Sequence, residues 1–466
     1  MQDQVRRIEP GIRTIILAVV TIATFLNPFT GSSINLALPL IGEEFGIDAV
    51  ILSWVPASYL LSMAIFLLPA GRLGDLLGRG RVFTLGTLIY TTGSVLSYFA
   101  PGIEIFLGCR FLQGLGSAMV FSNSVAIIAE IYPPGERGMA LGLNTMAVYG
   151  GLTLGPFLGG LLAQYLGWRS IFGITVVLGG LVLASVRLLP ASLSEKRYEP
   201  FDIRGAAFSA MIIVLFFLGV STIPQISGFA AIVCSLVLFV VFLKVEEATG
   251  SPLFPVRLFR ENRPFSYSNA AALINYCATF AVTFLMSLYL QVVKGYSPAF
   301  AGLVLLVQPL VQMIFSPFAG RLSDRAPPEN LASLGLIASA VSLFGFSFLG
   351  PETELLPVIL LLVILGIGLA LFSAPNTNAI MSSVSRHHYG VASAMLATMR
   401  SLGMMMSMGL VMIAFALILG STPISPASAG AFLHSMRVVF FILFLVSILG
   451  ALVSRRRRGM QGMKVA

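Results

Sequence analysis

The chain alternates between long apolar runs and short polar interruptions. A bilayer core needs ~20 consecutive apolar residues per helix. Runs meeting or approaching that length begin near Thr14, Val50, Val82, Ile103, Gly138, Ser170, Ile203, Gly228, Phe265, Pro298, Leu331, Leu355, Val391 and Phe432. They end near Leu40, Ala70, Ala100, Ile131, Ala163, Leu189, Ser221, Leu243, Gln291, Gly320, Gly350, Met381, Ile418 and Val453, about fourteen spans in all. The seventh and eighth are the shorter ones. The first, behind Arg6, Arg7 and Arg13, exceeds a signal-peptide core and is expected to remain as a helix.

An even number of spans puts both termini on one side, and the basic residues say which. Of the 28 lysines and arginines, Arg110 and Arg400 fall inside spans and Arg169, Lys294 and Arg437 near one face; the other 23 fall on the opposite face. Basic loop residues collect in the cytoplasm, which predicts cytoplasmic N- and C-termini and a multi-pass protein of the plasma (inner) membrane. Removing or adding one span would spoil the asymmetry.

Composition agrees. Of 466 residues, 57% are hydrophobic and 10% charged, against about 25% charged in a soluble domain, which excludes a water-soluble globular enzyme as well as a disordered chain. The net charge of +9 could suggest nucleic acid, but the basic residues are scattered through short loops and form no continuous patch. Cys109, Cys234 and Cys277 all lie in apolar runs, where thiols act as small hydrophobes, so neither a disulfide nor a metal site is expected.

Two longer loops divide the chain. Segment 190–202 is polar, and segment 244–264 contains PLFPVRLFRENRP, whose mixed apolar and basic residues suit the cytoplasmic interface although Pro252 and Pro255 oppose one straight helix. GRLGD (Gly71 to Asp75) recurs 249 residues on as GRLSD (Gly320 to Asp324). RGMALGLNTMAVYG, from Arg137, resembles YGVASAMLATMRSLG, from Tyr389, at offsets of 252 or 253. Two matches at nearly constant spacing imply two related six-helix bundles, 1–190 and 265–466, with two added helices and cytoplasmic linkers in 191–264. Membrane proteins built from such halves are usually transporters, with the substrate site between the halves.

In GRLGDLLGRGR, Gly71, Gly74 and Gly78 permit a tight turn and close helix approach, while Asp75 can pair with Arg79 or Arg81. A solvated basic turn that merely sets topology is one reading. An acid inside a basic loop, with Arg72 beside it and repeated at Asp324 between Arg321 and Arg325, favours a conformational latch. In GLTLGPFLGG, Gly151, Gly155 and Gly159 share one helix face, Gly160 follows, and Pro156 removes a backbone donor. Ordinary close packing explains that face as far as it goes; the functional reading adds that it slides against the other half during exchange. Arg110 lies well inside span 4, where insertion costs roughly 2.5–3.5 kcal/mol, so it must face the bundle interior beside Gln113. Carbonyls of neighbouring spans could satisfy it without any role in transport, and Arg400 could equally serve packing alone.

These features together resemble the major facilitator superfamily. GRLGDLLGRGR is similar to its signature loop, RFLQGLGSA (Arg110 to Ala118) to its span-4 arginine motif, and GLTLGPFLGG to the Gly-Pro motif of its proton-coupled antiporters. The fourteen spans, WVPASYLLSMAIFLLPAGRLGD and the Arg400 stretch resemble its fourteen-helix drug:proton antiporter branch, over essentially the whole chain. The resemblance implies an all-α integral membrane fold, alternating access, a proton gradient as energy source with no other cofactor, and a pairing of Glu130 with the signature-loop arginines.

One position departs from the pattern. That branch commonly carries an acid in span 1 five residues before the asparagine of N-x-A-L-P; here the motif is NLALP from Asn35, and the position is Thr30. The acids within spans are Glu104 and Glu130, toward opposite ends of span 4, and Glu104 is either a titrating group or a solvated one. Without a buried acid in spans 9 to 14, the polar candidates are Asn35, Ser58, Tyr59, Asn275, Tyr276, Gln308, Gln312, Asn376 and Asn378. They suit a neutral, amphipathic or anionic cargo. The methionines of Met399 to Gly409 could form an adaptable wall, although core packing accounts for most of them.

No phosphate-binding loop occurs, His387, His388 and His434 make no metal set, and no nucleophile–base pairing is evident. The expectation is therefore a monomeric, non-enzymatic secondary transporter exchanging protons for lipophilic compounds. The alternatives are an uncoupled exporter or facilitator of a lipid or metabolite, and a membrane sensor or scaffold. A static anchor would need neither the latch loop nor the Gly-Pro helix.

Overall fold

The computed structural model describes residues 10–133, 136–186, 201–250, 252–323, 325–385 and 389–455, and all regular structure among them is helical. The loop from 187 to 200, Asp324, His387, His388, Arg6, Arg7 and the basic tail from Arg456 lie outside the described residues. The helices are α1 (Pro10–Phe45), α2 (Ala49–Leu77), α3 (Arg79–Tyr98), α4 (Ile103–Ile131), α5 (Arg137–Tyr165), α6 (Ser170–Val186), α7 (Ile203–Ser221) and α8 (Ile226–Ala248). After them come α9 (Val256–Glu261), α10 (Arg263–Thr279), α11 (Ala281–Leu288), α12 (Pro298–Leu305), α13 (Val307–Ser323), α14 (Pro328–Phe346), α15 (Leu355–Ser382), α16 (Tyr389–Ile418) and α17 (Ala429–Arg455).

Twelve spans among the described residues are long and apolar enough to cross a membrane. Of the other two expected spans, Ser170–Val186 is apolar but short at 17 residues, and α3 is a 20-residue helix with polar positions along it. Local chemistry sets the ends. Asp48 caps α2 by accepting from Ile51 N at 2.8 Å, and Ser297 and Asn262 cap α12 and α10 in the same way. Gly78, at φ +111°, separates α2 from α3, a backbone conformation that favours glycine.

The first six helices pack chiefly on one another, α1 along α5 and both α2 and α3 along α4. In the second half α15 lies against α13 and α14, and α10 against α16 and α17. Span 9 is not one uninterrupted helix. It breaks at Phe280, where Ala281 N donates to Ser407 Oγ of α16 at 3.0 Å, and it ends in a π turn, Tyr289–Val293. Interrupted helices near the midplane mark the interior of carriers. Of the segment 244–264, α9 is a single short helix that follows Pro255.

The core is unevenly shared. Toward the face opposite the basic loops, one apolar cluster joins both halves, including Ile41 and Leu60 with Leu285, Leu288 and Phe415. Toward the basic face it divides into one cluster around Val20, Ile127 and Ala140 and another around Phe265, Met395 and Leu396, with Leu68 reaching across. The halves are therefore closed on one face and part toward the other. Met405 and Met408 belong to the shared core, as the packing reading of that stretch expects. Cys109 and Cys277 are buried, but Cys234 is exposed on α8.

The helices α7 and α8 form a hairpin that leans on both halves. Phe217 stands edge-on to Trp54 of α2 at 5.0 Å, and Val220 lies over Gly409 of α16.

Cations on the non-basic face are committed to structure. Arg169 pairs with Glu44 at 2.6 Å and donates to Ala100 O, just past α3. Arg437 donates to Leu349 O, just past α14, and Lys294 to Pro351 O and Thr353 O. The three exceptions to the charge asymmetry each hold a chain reversal together.

Candidate functional site

The signature loop forms the expected ion pairs. Arg79 meets Asp75 at 2.9 Å, one helical turn away across Gly78, and Glu130 of α4 at 3.5 Å. Gly74 is required here, since a Cβ would run into the amide of Asn123, which donates to Ala70 O and Met119 O. In the repeated loop Ser323 stands where Gly74 does, and the α15 amide becomes a partner: Asn378 Nδ2 donates to Ser323 Oγ at 3.2 Å. Arg321 is exposed at the end of α13, and its expected partner Asp324 lies outside the described residues. Gly71 allows close approach to Ser122, and Arg81 is exposed in the first turn of α3.

At about one-third exposure the Asp75–Arg79 pair contributes at most about 1 kcal/mol to stability. Asp75→Asn is expected to slow transport several-fold with normal membrane insertion. A transport assay beside a quantified membrane fraction checks this; an unimpaired rate would remove the latch role.

Arg110 is 1% exposed. Its Nε donates to Val55 O of α2 at 3.3 Å, one terminal nitrogen donates to Gln113 Oε1 at 2.6 Å, and its guanidinium lies 4.8 Å from the Tyr59 ring centroid. Gln113 Nε2 donates on to Ser94 Oγ at 2.8 Å, and Tyr59 OH bonds Ser117 Oγ at 2.6 Å. The cation is thus held by a carbonyl, an amide and a ring. Its ionisable electrostatic neighbours are Tyr59 and Tyr90, and none is a carboxylate. Arg400 repeats the arrangement on α16, 5.3 Å over the Tyr276 ring and beside Tyr149 of α5, with its Nε buried and unpartnered. Tyr149 brings the other half of the molecule to Arg400. It was not singled out in the sequence, although one tyrosine just before the Gly-Pro motif was the available signal.

The remaining candidates separate into groups. Asn35 lies on the seam, its carbonyl accepting from Ser287 Oγ of α11 at 2.6 Å while its Oδ1 has no partner. Asn275 is fully buried with both side-chain polar atoms unpartnered. Asn376 ties α15 to Ser268 O of α10. Glu104 is exposed in the first turn of α4 and does not join the central set. Thr30 bonds Leu26 O at 2.9 Å and Thr175 of α6 at 3.0 Å, wholly within its own half.

The Gly-Pro helix has two working faces. Gly151, Gly155 and Gly159 pack on α1 of the same half: a Cβ on Gly151 would lie 2.6 Å from Phe25 O, and one on Gly159 2.5 Å from Ser33 Cα. The expectation that this glycine face slides against the other half is therefore corrected, since three stacked glycines admit the α1 backbone and leave no room for another helix. The inter-half contact falls to Gly160, against the Pro298 carbonyl, and to Pro156, whose own carbonyl faces Gly302.

Against this geometry stand the comparisons with known proteins. The Major Facilitator Superfamily family model matches residues 20–408. The chain belongs to that superfamily. It is 31% identical to the riboflavin transporter RibZ of Clostridioides difficile, over 83% of this chain and 85% of that protein. It is 32% identical to the multidrug resistance protein Stp of Mycobacterium tuberculosis, over 79% of this chain and 70% of that one. Its fold is that of a solved peptide transporter POT in complex with sulfate, with a TM-score of 0.68 at 16% identity, covering 94% of this chain and 95% of that chain. The chain is a multi-pass membrane transporter, and the fold and family expected from the loop motifs hold.

Proposed function

We propose that the protein exports lipophilic or amphipathic small molecules that are uncharged or acidic, exchanging them for protons by alternating access. The basic face with both termini is cytoplasmic on this reading, and the described conformation is parted toward the cytoplasm. The observation that carries it is a pair of arginines within the spans, one in each half, Arg110 buried and Arg400 half-buried, whose ionisable neighbours are tyrosines. Such a site repels organic cations and offers an acidic or carbonyl-bearing cargo a charge-assisted partner. Asn275, with both amide atoms unpartnered, supplies further hydrogen bonding at little reorganisation cost. The multidrug resistance relative supports outward transport.

A second reading, export or facilitation without protons, is favoured by Thr30, a hydrogen-bonded hydroxyl where the resemblance places an acid. Proteoliposomes carrying a lumenal pH dye separate the two. Adding an uncharged or acidic amphiphile, riboflavin among the panel, is expected to move protons opposite to substrate. Substrate flux with constant lumenal pH would overturn the coupling and leave the carrier.

A further inference from the structure

The α7–α8 hairpin carries an acidic pair whose facing oxygens are buried, outside the transport machinery described above. Glu246, in the last turn of α8, is 1% exposed. Its Oε2 accepts from Phe254 N at 2.8 Å, while its Oε1 is buried and unpartnered. Asp202 caps α7, its Oδ1 accepting from Gly205 N at 2.8 Å, and its Oδ2 is likewise buried and unpartnered. Both bare oxygens converge on the space over Gly205, which a Cβ would fill. Among the described residues of α9, Arg260 pairs with Glu247 at 2.6 Å and Arg257 with Glu261 at 2.9 Å. Arg204 and Lys244, the other cations of the hairpin, are not electrostatic neighbours of Glu246, whose titratable neighbour is Asp202.

Two carboxylates in contact, with no cation between them among the described residues, cannot both stay ionised. We infer that Asp202 and Glu246 form a proton-binding site, holding one proton between Oδ2 and Oε1 and thereby clamping segment 252–262 onto the end of the hairpin. The clamp has consequences beyond the pair. Phe254 lies 6.3 Å from Phe242 and stacks on Phe259 at 4.9 Å, which meets Phe265 of α10 at 5.0 Å. Asn262 Nδ2 donates to Ser383 O, past the end of α15, at 2.6 Å. Occupancy by the proton thus fixes the strap joining the added helices to the second half at the basic face. Loss of the proton leaves two facing negative charges, which pushes the α7 and α8 ends apart and frees the Phe254 amide.

The test is amide hydrogen exchange of Leu253 to Asn262 in the full-length protein in lipid nanodiscs, corrected for intrinsic exchange. Across about pH 5.5 to 8.5, strap opening in the wild type is expected to rise with pH, by up to ~tenfold per unit above the transition. In Glu246→Gln the amide donates permanently to Asp202 Oδ2, so the strap should stay protected at every pH. Asp202→Asn, which keeps the acceptor that caps α7, should do the same. A protonated-carboxyl infrared band in the wild type, missing from both variants, is the second expected readout and is scored on the wild type even if a variant fails to fold. A pH-independent strap in the wild type, variants that follow the wild-type slope, or absence of that band overturns the site. Protection restored at high pH by sodium ions would also overturn it, in favour of a monovalent metal site.

Discussion

Gly159→Val is expected to keep the first group of helices from assembling, while Gly160→Val, one residue further on, leaves it assembled and holds the closed face open. The two glycines point in different directions from α5. A Cβ on Gly159 would stand 2.5 Å from Ser33 Cα, a backbone atom that cannot step aside, in a seam also held by Ser33 Oγ donating to Gly155 O at 2.9 Å. Overpacking costs about 1–3 kcal/mol where side chains can give way, and the upper end or more is expected against backbone. Gly160 faces the Pro298 carbonyl of the other half, so a side chain there penalises only the conformation in which the halves meet. Thermal stability in detergent should fall sharply for Gly159→Val and little for Gly160→Val. A cysteine at Ser287, fully buried on the closed seam and placed in a background without the three native cysteines, should become reactive to an impermeant maleimide in Gly160→Val alone. Equal destabilisation by both substitutions would contradict the assignment of the two faces.

Arg110→Lys is expected to cut substrate-driven flux about 10- to 100-fold although it preserves the charge. A hydrogen bond to a charged group contributes about 1.5–3 kcal/mol, and each 1.4 kcal/mol is about tenfold. Lysine replaces the planar fork that meets Val55 O, Gln113 and the Tyr59 ring together with a point charge unable to serve all three. Gln113 would remain bonded to Ser94, so the helix packing survives and the loss should appear in transport more than in folding. Flux and melting temperature measured on the same preparation decide it: wild-type flux in Arg110→Lys would reduce the residue to a packing role.

Much of this was legible in the sequence because lipid leaves so few options. With every backbone group obliged to bond internally, a long apolar run bounded by Pro101–Gly102 and Pro133 can only be a helix, and α4 begins and ends where the run does. The signature-loop ion pairs were legible for a similar reason: Asp75 and Arg79 are one turn apart, and only Glu130 brings an acid to the same end of the neighbouring span. Facing was not legible. Between helices in lipid the packed side is no more apolar than the exposed side, so periodicity cannot say that Gly159 meets α1 while Gly160 meets α12. The break at Phe280 also escaped, since the freed Ala281 amide is served by a serine 126 residues later in the chain. Asp202 and Glu246 read as loop charges until an antiparallel hairpin closed over them.

The α7–α8 hairpin makes the two flanks of the molecule unequal. With Phe217 wedged beside Trp54 and Val220 over Gly409, it screens the junction of α2 and α16 from surrounding acyl chains. Among the described residues, no such hairpin packs over the junction of α5 with α12 on the other flank. A compound already partitioned into the membrane would thus find a lateral doorway on one side only, and the duplicated architecture would be two-fold in its bundles yet one-sided in its access from lipid.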